Sequence, residues 1–211
     1  MASLPPPGAR PQSPPPLYQL AGFKRRALED LSAPVLDAIA KIQKLISQEK
    51  KILNREFLGY GFQDPKNSSL EDIIWGQEDK VLVLPGSPFD IFQKQSHFGK
   101  RPFTVHNHLE GEPPSEEDLN QAFWPDHRSR FRGEHYNFGN LLNSTPRAES
   151  IQALPKIESY DPEYFRRWKR GLDLGMAEEI YGEDFDLPDH VIRENLRRFA
   201  DEDWFNYTVF E

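Results

Sequence analysis

"FTVHNHLEGE", residues 103–112, places His106, His108, Glu110 and Glu112 at every second position. Side chains alternate across a β-strand with period two, so a strand here would put all four on one face. In a loop the same letters share no face. The reading of this stretch therefore decides whether the middle of the chain contains sheet, and whether it holds a metal site.

Its surroundings argue for loop. Residues 58–112 carry scattered glycine and proline, with "LEDIIW" (70–75) short enough for a helical turn or two. "VLVL" (81–84) reads as one short strand, stopped by Pro85 and Gly86. Its spacing matches neither a phosphate loop nor a dinucleotide fingerprint, and Pro88 removes an N–H that a phosphate cradle would use. Downstream, Pro113 and Pro114 lead into a helix start at "SEEDLNQAFW", where Ser115 and Asp118 form a near capping box. Residues 125–160 are again rich in Gly, Asn, Ser and Pro.

Composition points the same way. The 211 residues include six Val, eleven Ile and three Thr, against 21 Leu and 26 aromatics. Scarce β-branched residues argue against an all-β sandwich or barrel. The fold class expected is mainly α: a long N-terminal amphipathic helix, an irregular midsection with little sheet, and a C-terminal helical block.

The long helix is the strongest periodic signal. In "LSAPVLDAIAKIQKLISQEKKILNREF" (31–57), Ser32 suits an N-cap and Pro34 the first turn. Val35, Ile39, Ile42, Ile46 and Leu53 then alternate by four and three, predicting about 24 helical residues, roughly 36 Å, ending at "FLGYGF". In the last third, Asp161–Pro162–Glu163 opens a helix striped by Tyr164, Phe165, Trp168 and Leu172. Pro188 opens another, with Val191, Ile192, Leu196 and Phe199 on one face. The tail "DEDWFNYTVFE" places Trp204, Phe205, Tyr207, Val209 and Phe210 behind acids. The organisation expected is a disordered Pro-rich tail (1–22), the amphipathic helix (23–62), a loop-rich midsection (63–160) and the helical block with its acidic-aromatic tail (161–211).

Charge and residue usage narrow the functions. Residues 1–105 carry a net +3 and residues 106–211 a net −11. An acidic half does not suit the phosphates of nucleic acid, apart from a local contact through the arginines and aromatics of "RSRFRGEHYNFG" (128–139). With no cysteine, disulfides, thiolate zinc sites and thiol catalysis are all excluded. No apolar run reaches a membrane span and the N-terminus has no signal-type apolar core. The expected location is intracellular, cytoplasmic or nuclear, with the mitochondrion second.

His106-x-His108-x₃-Glu112 resembles the first metal motif of the cupin family, small β-barrels that bind Mn, Fe or Zn. The likeness covers seven residues. Gly99 stands one residue too far upstream, and no second motif surrounds His135. No residue of that family is therefore carried over. The histidines and Glu112 still make a generic site for Zn, Mn or Fe, with His127 or His135 as a further ligand.

Two functions follow. The first is a non-catalytic subunit or adaptor of a larger protein assembly, without cofactor. It would bind protein partners through Val35, Ile39, Ile42, Ile46 and Leu53, through Tyr164, Phe165 and Trp168, and through Trp204, Phe205, Tyr207 and Phe210. The second is a metal-dependent enzyme built on His106, His108 and Glu112.

Overall fold

The structure is a computed structural model. It describes residues 22–48, 55–66, 68–76, 81–95, 97, 99–108, 111–115, 118–119, 133–139, 147–153, 187–201 and 205–211. Among these residues the expectation of a mainly α fold is overturned. Seven strands form one mixed sheet: β1 (Gly22–Arg26), β2 (Phe57–Gln63), β3 (Ser68–Trp75), β4 (Pro102–His108), β5 (Glu134–Gly139), β6 (Ala148–Ala153) and β7 (Phe205–Phe210). Among the described residues three α-helices with defined bounds accompany it: α1 (Ala33–Gln48), α2 (Pro88–Lys94) and α3 (Asp189–Asp201). A 3-10 turn covers Leu28–Asp30.

The strand order is β1-β7-β6-β5-β4-β2-β3. The pairs β1·β7 and β4·β5 are parallel and the other four antiparallel. The first and last described strands thus lie side by side. The quoted stretch runs up the middle of the sheet, as β4, between β2 and β5.

The sequence hid this sheet because aromatics do the work of β-branched residues. Phe57, Tyr60 and Phe62 on β2, Phe103 on β4, Tyr136 and Phe138 on β5, and Phe205, Tyr207 and Phe210 on β7 are all buried. Aromatic side chains cover a pleated surface as well as valine does. "FLGYGF", read as a helix stop, is β2, and "LEDIIW" belongs to β3. "VLVL" pairs in no ladder, yet Val81 and Val83 pack inward over β2. The tail is a strand between β1 and β6.

Alternation along the strands separates two faces. Phe57, Phe103, Val105, Tyr136, Phe138, Ala148 and Phe210 join Val35, Ala38, Ile42 and Ile46 of α1. On the opposite face, Leu58, Tyr60 and Phe62 pack on Phe89 and Phe92 of α2. Farther along that face, Ile151, Phe205, Tyr207 and Val209 pack on Ile192, Leu196 and Phe199 of α3. Helix α1 is described over sixteen residues, about 24 Å; residues 49–54 of the predicted helix lie outside the described residues. Its stripe falls on the sheet as the periodicity predicts, with Ile39 partly buried against it.

Between α2 and α3, the second face is polar. The inward residues of the central strands there are Thr104, His106 and His108 of β4, His135 and Asn137 of β5, and Glu149 of β6. His106 is partly buried and the other five are buried. A polar strip inside a sheet that is otherwise apolar requires a partner for every group.

Candidate metal centre

His106 and His108 point to the same face, as the period of two requires, with their Nε2 atoms 2.8 Å apart. The third member is Asp118, ten residues beyond His108. One carboxylate oxygen lies 3.1 Å from Nε2 of His106 and the other 3.1 Å from Nε2 of His108. The three potential ligand atoms all lie within 4.8 Å of one another. Donors about 2.0–2.1 Å from one tetrahedral ion stand roughly 3.3 Å apart. The two Nε2 atoms, and each Nε2 with its nearer carboxylate oxygen, stand 2.8–3.1 Å apart, within about half an ångström of that.

Asp118 reaches this position through the capping box that the sequence announces. Ser115 donates its N–H (2.7 Å) and its hydroxyl (2.8 Å) to Oδ2 of Asp118, while Asp118 N–H donates back to Ser115 Oγ (3.2 Å). Leu119 N–H closes the turn on Ser115 O at 3.1 Å. An acid that ordinarily serves only to start a helix is here turned towards two imidazoles.

The tautomer of His108 follows from its other nitrogen. Nδ1 lies 2.9 Å from the carbonyl oxygen of Glu112, which can only accept, so Nδ1 carries the proton. Nε2 then faces Asp118 and His106 with its lone pair, unless a cation lies between them. A second N–H anchored on a carbonyl is the usual support of a metal-binding histidine. When the cation is a proton, the same geometry accounts for the titration. Burial alone would lower the pKa of His108, but hydrogen bonding and charge from Asp118, the Glu112 carbonyl and Glu56 raise it above its ordinary value. Burial would raise Asp118, yet the charge and hydrogen bonds of His106 and then His108 hold it well below the carboxylate range.

Glu112, the carboxylate picked from the sequence, is exposed, and its part here is its backbone carbonyl. Asp118 takes the place predicted for it. Of the further ligands considered, His127 lies outside the described residues. His135 is buried and bonds Thr104 Oγ1 through Nδ1 at 2.9 Å, outside the three-residue cluster. Burial first, then the charge of His106 against that of Asp118, brings its pKa down to about 4.

A second carboxylate stands beside the cluster. Leu58 is the partner of His106 in the antiparallel β2·β4 ladder, so continuing the register by two residues sets Glu56 next to His108. The middle letter of His-Asn-His holds it there. Asn107 points to the opposite face, where Oδ1 accepts from Phe57 N–H at 2.7 Å and Nδ2 donates to Arg55 O at 3.2 Å. That side chain thus clamps the backbone on both sides of Glu56.

The side chains singled out for partner binding are distributed differently. Val35, Ile42, Ile46, Phe205, Tyr207 and Phe210 are buried in the chain's own core, and Ile39 packs against it. Leu53, Tyr164, Phe165, Trp168 and Trp204 lie outside the described residues. No helix among the described residues is long and apolar enough to cross a membrane, and the absence of cysteine rules out disulfides. The chain matches no protein-family model, and no curated protein shows significant similarity to it.

Proposed function

We propose that this chain is a metal-dependent enzyme of the hydrolytic class, with His106, His108 and Asp118 as ligands and Glu56 as proton acceptor. The convergence of three ligand atoms within 4.8 Å, two from one strand and one from a capping box, carries the reading. Two imidazoles and a carboxylate suit a divalent first-row ion. Structural zinc sites close the shell with four protein ligands, whereas catalytic sites leave a position for water. Three are assembled among the described residues, and the carboxylate of Glu56 stands alongside. An ion bound there would bring the pKa of its water towards 7. The protein's own contribution is to hold the Nδ1 proton of His108 on the Glu112 carbonyl so that Nε2 faces the site, to neutralise charge with Asp118, and to offer Glu56 for the proton.

The donor set alone also serves iron chemistry; the neighbouring carboxylate favours hydrolysis. Metal analysis of the purified chain tests the assignment. One equivalent of zinc, lost in His108→Ala and Asp118→Ala variants that remain folded, is expected. A chain that takes up no divalent metal at micromolar concentration overturns it.

The adaptor role remains as a second reading, supported by Leu82, Leu84 and Ile91, which stand 49%, 67% and 48% exposed within ten residues. Sedimentation of the wild type against Leu84→Asp tests it for self-association. A concentration-dependent dimer abolished by the substitution supports the reading, and a monomer throughout counts against it.

A further inference from the structure

The loop that supplies the metal centre is held by a side chain from α3, more than eighty residues away in sequence. Arg193, on α3, has its Nε 2.7 Å from Oε1 of Glu149 and donates from Nη2 to the carbonyl of Gly111 at 2.6 Å. Glu149 sits buried on β6, where its other oxygen accepts from Tyr207 Oη at 3.0 Å, and Arg147 Nε lies 2.8 Å from Oε1. The guanidinium is therefore a rigid fork with one prong on a buried carboxylate and the other on the loop.

The carbonyl it grips is one peptide before the carbonyl of Glu112 that orients His108. Four residues after Gly111 comes Ser115, which orients Asp118. Gly111 has φ +76°, and its backbone runs so close to β5 that a Cβ on Gly139 would lie 2.8 Å from Gly111 Cα. The loop is thus pressed onto the end of β5 and tied there by the Arg193 side chain.

We propose that Arg193 is a positioning residue of the metal centre. By anchoring the Gly111 carbonyl to the Glu149 carboxylate, it fixes the loop that sets the tautomer of His108 and the approach of Asp118. The inference rests on the metal reading proposed above. It touches neither the metal nor a substrate, and acts through the loop.

The experiment measures zinc affinity by chelator competition, beside urea denaturation of the zinc-free chain, for wild type, Arg193→Lys, Arg193→Met and Arg193→Met/Glu149→Gln. The single Met variant leaves a buried carboxylate short of a partner and is expected to lose stability. The double variant removes that charge and recovers stability, yet still lacks the donor to Gly111. Zinc affinity is expected to fall about 10–100-fold in both Met variants. In Arg193→Lys, whose single ammonium cannot span both acceptors, stability is largely kept while affinity still falls. Wild-type zinc affinity in the double variant or in Arg193→Lys, whatever the stability, overturns the positioning role. A wild-type chain that binds no zinc overturns the metal reading itself, so the two failures are distinct.

Discussion

Replacing His135 by glutamine will flatten the acid limb of the chain's stability curve. His135 is buried on β5 and bonded to Thr104, and burial carries its pKa from 6.5 down to about 4. Between those values the unfolded chain takes a proton that the folded chain refuses, so stability rises with pH. The stabilisation is complete above pH 6.5 and is lost as pH falls towards 4, for a total of about 3 kcal/mol. From pH 7.5 to pH 5.0 the loss attributable to this site is about 2 kcal/mol. Asp118, whose charge works against the shift, and His106, whose charge adds to it, are the other titratable groups acting on this imidazole. The assay is urea denaturation at both pH values with chelator present, for wild type and His135→Gln. Whatever the substitution costs at both pH values cancels, and the difference of differences should be about 2 kcal/mol. The same acid loss in both proteins would refute the reasoning, and would mean that the imidazole is protonated in the folded state or reached by water.

Three other substitutions probe the frame around the site. Asn107→Ala removes the clamp on residues 55–57 and leaves the Phe57 N–H buried without its acceptor; a loss of about 1–3 kcal/mol by urea denaturation is expected. Phe103→Ala opens a cavity beneath α1, where Phe103 is fully buried; about 3–5 kcal/mol is expected, and a loss under about 1 kcal/mol would contradict the packing described. Gly139→Ala drives a methyl against the Gly111 backbone, with no flexible side chain to yield; at least a tenfold fall in zinc affinity by chelator competition is expected, because the displaced peptide carries the support of His108.

What could be read in the sequence depended on whether a signal was local. Helix periodicity is local, so the Val35–Ile46 stripe and the Ile192–Phe199 face both fall where predicted. Sheet pairing is not: β4 lies between β2 and a strand some thirty residues downstream, and no short window reveals that. The scarcity of valine and threonine was the misleading cue, since phenylalanine and tyrosine supply the same cover. At the site, the His-x-His period was legible because alternation along a strand is intrinsic to it. Asp118 was missed although its capping box was seen, for an acid three residues after a serine has a sufficient local explanation. Its second role depends on the turn at Gly111, which brings the box back over β4. Glu56 and Arg193 were beyond reach, since each meets the site only through the folded register or through α3.

The most direct test of the central claim is zinc K-edge X-ray absorption on the zinc-loaded full chain, at a pH above the raised pKa of His108 so that no proton competes for Nε2. The account predicts nitrogen and oxygen neighbours at about 2.0–2.1 Å with the multiple-scattering signature of two imidazoles, reduced to one in His106→Ala. A spectrum with no imidazole scattering, or one unchanged by that substitution, would contradict it.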